Sequence, residues 1–451
     1  MTKLFKNYEQ LTSKGDQNLR KAALDIIEAG VKKVIPYDAV KKLVIFDGKM
    51  IQVGDLKINY ADVEHVYVVG AGKGAFPIAQ ALDEILGSHI TQGFVAVKAG
   101  EKRRLKHIEI FESSHPIPDE RSLDAADRII EILNQAGEKD IIFAAVTGGS
   151  TALVNKPEPG ISLKDLQKIN EMLLNSGAEI GTMNMVRKHL CQLKGGRLVQ
   201  FGQPAMVITL TFDTSTPDMP WPDLCRTDPT TYRDALQVMH DYGLWENAPE
   251  SVKAFLEYGN KHPELETVKS FEGMKQVLFS VADQNLSCLA AAEKARELGY
   301  EPYILSHIMA GEAKDLGIVM AGITDEIIEY QRPFKTPCAL ISGGETTVTI
   351  TGEHGVGGPN QESVLGFICK VRHAEGYAFA SMDTDGTDGP CECAGGLVDG
   401  STRTRARELR LNIEKVLRRH NSTEALNQLG ETLYTGHTGT NMMNLRVVVV
   451  H

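Results

Sequence analysis

Residues 68–75 read VVGAGKGA, an apolar run that closes in three glycines set around one lysine. The helical pattern FPIAQALDEIL follows at 76–86. Strand, glycine turn and helix in this order open a βαβ unit. The glycines permit a tight turn, and the helix start favours an anion. Gly70, Gly72 and Ala75 fit the G-x-G-x-x-A spacing of a dinucleotide turn. Such a site calls for an acid at the tip of the second strand, whereas GFVAV (93–97) ends in Lys98, which suits a 2′-phosphate. The other reading makes Lys73 the point of the turn. An ammonium among apolar neighbours is costly unless it meets negative charge, such as a bound carboxylate or a transferring phosphoryl group. A solvated surface lysine is the plain third reading.

Outward from this turn, short apolar runs alternate with helical patterns, the signature of α/β folds with mainly parallel sheets. Strands are expected over 65–70, 93–97, 141–146, 205–212, 277–281, 302–306, 338–342, 347–351, 377–382 and 445–450. Amphipathic helices are expected over 19–34, with Leu19, Ala22, Ala23, Ile26, Ile27 and Val34 in one stripe, and over 285–298, with Leu286, Leu289, Ala292 and Leu298. Residues 213–275 read as a helical connection between two α/β domains, spanning 1–270 and 271–451.

The 451 residues are 42% hydrophobic and 24% charged, the balance of an ordinary globular protein. A net charge of -11 argues against nucleic acid and toward a small-molecule partner, because nucleic-acid affinity comes from neutralised phosphates. No apolar stretch reaches membrane-helix length, and the N-terminus lacks the apolar core of a secretion signal. A cytoplasmic protein that makes no membrane contact, monomeric or a small homo-oligomer, is the expectation. Seven scattered cysteines give no disulfide framework, and the CEC at 391–393 lacks zinc-site spacing.

Further loops carry chemistry. VTGGSTALV (146–154) places Gly148, Gly149, Ser150 and Thr151 after an apolar strand, where successive N–H groups and hydroxyls make an anion nest. It lacks the Walker lysine spacing. NMVRKHLCQLKGGRLV (184–199) gathers Arg187, Lys188, Lys194 and Arg197, a cationic set able to hold an acid substrate or phosphate. ISGGETTVTITGEHGVGGPNQE (341–362) supplies Gly343, Gly344, Glu345 and Thr346, then Asn360 as the cap of a helix. MDTDGTDGP (382–390) offers Asp383, Asp385 and Asp388 at a strand end. They can hold Mg²⁺ or serve only as Asx-turns. TGHTGTNMMNL (435–445) adds Thr438, Thr440 and Asn441 in an anion-friendly turn.

VVGAGKGA, HPIPDE (115–120), TGGSTALV, VRKHLCQLKGGRL, ISGGETTVT, GGPNQE, DGTDGP, AGGLVDG and TGTNMMNLRVV occur in one order along nearly the whole chain. This order resembles the glycerate 2-kinase family of the type with a MOFRL C-terminal domain. The resemblance implies a Rossmann-like domain and a MOFRL-type α/β domain facing across a cleft. It also implies phosphorylation of the 2-hydroxyl of D-glycerate or a related hydroxy acid, with ATP and Mg²⁺. By that resemblance Lys73 is catalytic and Asp213 matches an acid that orients or deprotonates the acceptor. The nest at 148–151 and the cations Arg187, Lys194 and Arg197 take the substrate. Gly343 to Thr346, Asn360, Glu362, Thr438, Thr440 and Asn441 take the nucleotide, and Asp385 and Asp388 the metal. Gly72, in the Lys73 turn, belongs with the substrate- and phosphate-binding residues. The chain departs from the family pattern at Pro359, where members carry an arginine, and at His437 and Asn444. The remaining alternatives are an NADP-dependent hydroxypyruvate reductase and a metabolite-binding homologue without catalysis.

Overall fold

The protein is described from a computed structural model covering residues 3–100, 103–115, 117–213, 223–350 and 352–451, without the side chain of Asp213. Two compact units emerge, Pro36–Val281 and Met1–Ile35 with Ala282–His451. The N-terminal segment thus belongs with the C-terminal half, unlike the expected split near 270.

The first unit holds a six-stranded sheet whose spatial order is Glu109–Ser113, Gln92–Lys98, Val66–Ala71, Ile141–Val146, Met206–Asp213 and Gln276–Asp283. Numbered along the chain this is 3-2-1-4-5-6, the doubly wound dinucleotide-fold order. The first five strands pair in parallel. Val66–Ala71 and Ile141–Val146 are buried at every residue. That continuous apolar run is the mark of a parallel strand covered on both faces. Val69, Ala71, Ala144 and Val146 pack against Ala125, Ile129 and Ile132 of the helix Glu120–Gln135.

The stretch expected to be a connection is instead part of this unit's own core. Tyr232–Asp241 and Glu250–Gly259 pack with Leu163–Asn175 and Ile180–His189 through Leu166, Ile169, Val186, Val238, Val252 and Leu256. An antiparallel meander over Val44–Phe46, Met50–Val53 and Leu56–Asn59 had no clear alternation in the sequence and was not anticipated.

The second unit has another six-stranded sheet, ordered Glu301–Ser306, Cys338–Gly344, Asn444–Val450, Tyr377–Asp383, Gly395–Asp399 and Thr432–Leu433. Only its first pair is parallel; the C-terminal strand runs antiparallel between Cys338–Gly344 and Tyr377–Asp383. This sheet is therefore mixed, whereas the first is mainly parallel as expected. The inserted strand has a positional consequence. Gly344 and Asp383 both pair with Asn444, so three glycine-rich loops leave from one sheet end.

Helix Gln17–Lys33 buries Leu19, Ala22, Ala23, Ile26 and Ile27 against Ala291, Ala292, Ala295, Ile341 and Val447, as its stripe predicts. Arg20, fully buried, lies 3.3 Å from both Asp399 and Glu431 and pins the helix to its unit. The partner helix Gln284–Glu297 shows a different face from the one expected. Ser287, Cys288, Ala291, Ala292 and Ala295 are buried, while Leu286 and Leu289 are exposed. Small residues let the two helices approach closely, which overrides the leucine pattern. TVTIT does not form a strand: Thr347 makes one isolated bridge to Glu312, and Thr351 lies outside the described residues.

Candidate active site

In a 3-2-1-4-5-6 sheet the crossovers reverse between the first and fourth strands, leaving a crevice outside their carboxyl ends. Ala71 and Val146 are direct partners in that pair, so the VVGAGKGA and VTGGST turns leave side by side. They are tied together: Lys73 N donates to Gly148 O at 2.8 Å, Thr147 N to Ala71 O at 3.0 Å, and Gly74 N to Thr147 Oγ1 at 3.0 Å. Gly72 has a φ of 142°, and a Cβ there would collide with Thr147. The glycine is therefore required by the neighbouring turn, which accounts for it without a bound pyrophosphate. The dinucleotide reading loses its main support.

Gly149, at φ 88°, is the left-handed residue that starts the short helix Ser150–Leu153. A Cβ on it would stand 3.2 Å from Lys73 Cγ and 3.2 Å from His115 Cδ2. The Lys73 stem and the His115 ring thus flank the glycine turn. Lys73, Gly148, Gly149 and Thr151 are half-buried, and Ser150 is buried with an Oγ that has no hydrogen-bond partner among the described residues. His115 was quoted within HPIPDE but not singled out. Its signal was the strand end two residues before it, and the strand Glu109–Ser113 was not expected from the sequence.

The cationic run divides. Arg187 donates through Nε to Asn170 Oδ1 at 2.7 Å, and burial lowers its pKa while Asp223 opposes that. Lys194, 1% exposed, also faces Asp223, whose fully buried carboxyl is pushed up by desolvation against the pull of Lys194 and Lys188. Among the described residues neither carboxylate oxygen of Asp223 has a hydrogen-bond partner. Lys188 pairs with Asp228 at 2.6 Å. Burial works against the Asp228 anion, yet Lys188 holds it below its ordinary value. Arg197 does not join this set. It donates to Cys191 O and Leu265 O, each at 2.8 Å, and lies 3.3 Å from Glu158, clamping backbone. Asp213 ends the strand beside Ile141–Val146, one strand from the switch point; its side chain is outside the described residues.

The loops of the second unit hold a different kind of site. Helix Pro359–Lys370 starts with Pro359 at its first turn and Gly358 in the cap position. Its N–H groups are capped from across the fold: Asp388 Oδ1 accepts from Asn360 N and Nδ2, each at 3.0 Å, and Oδ2 from Gln361 N and Nε2 at 2.9 and 3.0 Å. Asn360 is therefore not the cap expected. It is a fully buried link that also donates to Asn444 Oδ1 at 2.6 Å and accepts from Ser381 Oγ at 2.6 Å. Glu362 is buried and bound to His420 at 2.8 Å. With its lone pairs taken by four N–H donors, Asp388 does not fit a direct Mg²⁺ ligand. Asp385 accepts from Thr387 N and Oγ1, each at 2.7 Å, in the Asx-turn alternative. Among the described residues no metal-ligating cluster forms in this loop.

The two glycines of SGGETT belong to the end of strand Cys338–Gly344. A Cβ at Gly343 would meet Gln284, and one at Gly344, at φ 109°, would meet the backbone of Met309. Thr346 is buried and receives Arg446 Nη2 at 2.7 Å. Thr440 donates to Val34 O at 2.7 Å, and Thr438 to Thr384 O. Asn441 is half-buried and Glu345 exposed. Arg446 was not anticipated from sequence: it is fully buried, with Nε and Nη1 unpartnered among the described residues, and burial lowers it to about 10.

A doubly wound domain with a lysine turn at its switch point, joined to a second α/β domain, defines a two-domain α/β class. The family model described as a domain of unknown function (DUF4147) matches residues 22–257, and the MOFRL family model matches 338–444. A glycerate 2-kinase of Pyrococcus horikoshii is 40% identical, over 96% of this chain and 98% of that protein. A D-glycerate 2-kinase of Thermotoga maritima is 34% identical, covering 96% and 99%. A crystal structure of a Thermotoga maritima glycerate kinase superposes with a TM-score of 0.79 at 33% identity, over 96% of this chain and 99% of that one. The chain belongs to the glycerate 2-kinase family.

Proposed function

We propose that the protein is an ATP-dependent kinase that transfers a phosphoryl group to the 2-hydroxyl of D-glycerate or a closely related hydroxy acid. One observation carries the reading furthest: Lys73 rises beside Gly149 at the switch point, joined to the VTGGST turn by the Lys73 N–Gly148 O bond. Phosphoryl transfer asks for positioning and charge neutralisation more than covalent chemistry. In this reading the Lys73 ammonium takes the charge that builds on the equatorial oxygens of the transferring group. The 148–151 turn seats the acid's carboxylate, and Arg187 and Lys194 add positive potential from the neighbouring helix and turn. Asp213, at an adjacent strand end, orients the acceptor hydroxyl or takes its proton.

The nucleotide reading of the second unit's loops rests on the residues left facing outward, Glu345 and Asn441, with Asn360, Glu362, Thr346 and Thr440 behind them as framework. Asp385 and Asp388 are engaged in turns and caps, so no catalytic step is assigned to a metal on them. The test is incubation of purified protein with MgATP and D-glycerate, resolving ADP and phosphoglycerate. Formation of both above a Lys73→Met background is expected. Their absence with glycerate and with a panel of longer hydroxy acids defeats the reading.

A further inference from the structure

The second unit treats its two fully buried arginines in opposite ways. Arg20 lies 3.3 Å from the carboxylates of both Asp399 and Glu431. Arg446 forms no ion pair among the described residues. Its guanidinium makes one hydrogen bond there, from Nη2 to Thr346 Oγ1 at 2.7 Å, and leaves Nε and Nη1 without a partner. The group stays charged at neutral pH, since burial lowers it only to about 10, against the pull of Glu345. A buried ion with no close counter-ion is strongly unfavourable.

Its place in the sheet gives this charge a setting. Arg446 pairs with Ser342 on one flanking strand and Ser381 on the other. Directly paired residues share a face of the sheet, with Cβ atoms about 4.5–5.5 Å apart. This is the face of Leu340, Phe379 and Val448, which pack with Val364 and Phe367 of helix Pro359–Lys370. Ser381 Oγ donates to Asn360 Oδ1. Ser342 Oγ, also fully buried, has no partner among the described residues. Two guanidinium N–H groups and a hydroxyl thus stand side by side with hydrogen bonds still to give. They lie two residues along the strand from Asn444, the partner of Gly344 and Asp383, where the glycine-rich loops leave the sheet.

We propose that Arg446, with Ser342 beside it, is an anion site that receives phosphate oxygens when the Thr346 side chain turns off the guanidinium. Thr346 is a cover one residue wide: it is 2% exposed, between Glu345 and Thr347, which are both exposed. The planar fork of a guanidinium matches two oxygens of a phosphate. A protein carboxylate in that fork would close it permanently, as happens at Arg20, whereas one threonine hydroxyl is a weak, neutral occupant that an anion can replace. The same chemistry suits a nucleotide's phosphate chain and free inorganic phosphate. That the nucleotide is the source rests on the reading of these loops as nucleotide-holding; the anion site itself does not.

The test titrates inorganic phosphate and MgADP against the full-length protein and reads the thermal midpoint, with sodium chloride at matched ionic strength as the control. Both are expected to raise the midpoint of the parent. In Arg446→Met the phosphate shift is expected to vanish, and KM for ATP to rise about 10–100-fold with kcat nearly unchanged, the pattern of lost ground-state binding. The urea midpoint of Arg446→Met is expected to hold or rise, because the variant removes a buried ion that has no counter-ion. Should it fall, Arg446→Lys, which keeps the charge without the fork, is read in its place and is expected to show a weakened phosphate shift. A urea midpoint lowered in both variants makes Arg446 a framework group and overturns the proposal. A parent midpoint that phosphate leaves unmoved also overturns it, the N–H groups then being met by water, as does an equal phosphate shift in the parent and the variant read. Loss of the phosphate shift with MgADP binding intact supports the site and assigns it to free phosphate. A parent protein with no turnover counts against the kinase reading and leaves the phosphate shift to decide the site.

Discussion

Two loop clusters, each at one end of a sheet, treat their polar residues in opposite ways. At the switch point of the first unit, Lys73, Gly149 and Thr151 stay half-buried around a turn whose framework is backbone. At the Asn444 end of the second sheet, Asp388, Asn360, Ser381 and Asn444 are buried and bonded to one another. Lys73, Gly149, Thr151, Asp388 and Asn360 all read as ligand groups in the sequence. The fold leaves one set half-buried at a turn and makes the other into architecture. A carboxylate that already accepts four N–H bonds has nothing left to offer a metal.

This contrast can be broken by substitution, because an architectural group should cost stability and an open one activity. Asp388→Ala strips two backbone and two side-chain donors of their acceptor, and unfolding free energy is expected to fall by about 4 kcal/mol in urea titrations. A variant that unfolds like the parent but has lost only metal dependence reverses our reading of this loop. Lys73→Met is expected to leave the urea midpoint unmoved and cut turnover of glycerate by about 10²–10³-fold, or about 3–4 kcal/mol of barrier. Loss of stability without loss of turnover places Lys73 among the framework groups.

The Lys188–Asp228 pair sharpens the comparison inside the first unit. Asp228 is held below its ordinary value in the fold. Its contribution is thus complete above a pH of about 4 and is lost as pH falls through the lowered folded value. Asp228→Asn is expected to cost about 3 kcal/mol at neutral pH, with the gap to the parent closing in acid. A constant gap across that range in chemical denaturation contradicts the pairing. The smallest effect falls at Pro359. It occupies the first helical turn, where its missing N–H loses nothing, so Pro359→Ala is expected to shift stability by about 0.4–1 kcal/mol and turnover not at all.

The parallel sheet was legible because runs such as IIFAAV are apolar throughout and bounded by glycine, and Lys73 stood out for the same local reason. Asp388 was not, since its partners Asn360 and Gln361 lie 28 and 27 residues away in sequence. Glu109–Ser113 hid because EIFES alternates weakly, and with it the setting of His115. The helix Gln284–Glu297 misled through leucines that the fold leaves outside, because its alanines permit the closer packing. The sheet direction in the second unit depended on where the last strand inserts, which no local pattern encodes.

The N-terminal helix is bound into the half of the chain made last, with Arg20 closing onto Asp399 and Glu431. During translation, residues 36–281 can therefore mature on the ribosome as a complete body, while the greasy side of residues 17–33 waits for synthesis to finish. The newborn chain must shield that strip until its tail arrives. Clipping the first 35 residues should accordingly harm yield and solubility through the C-terminal half alone.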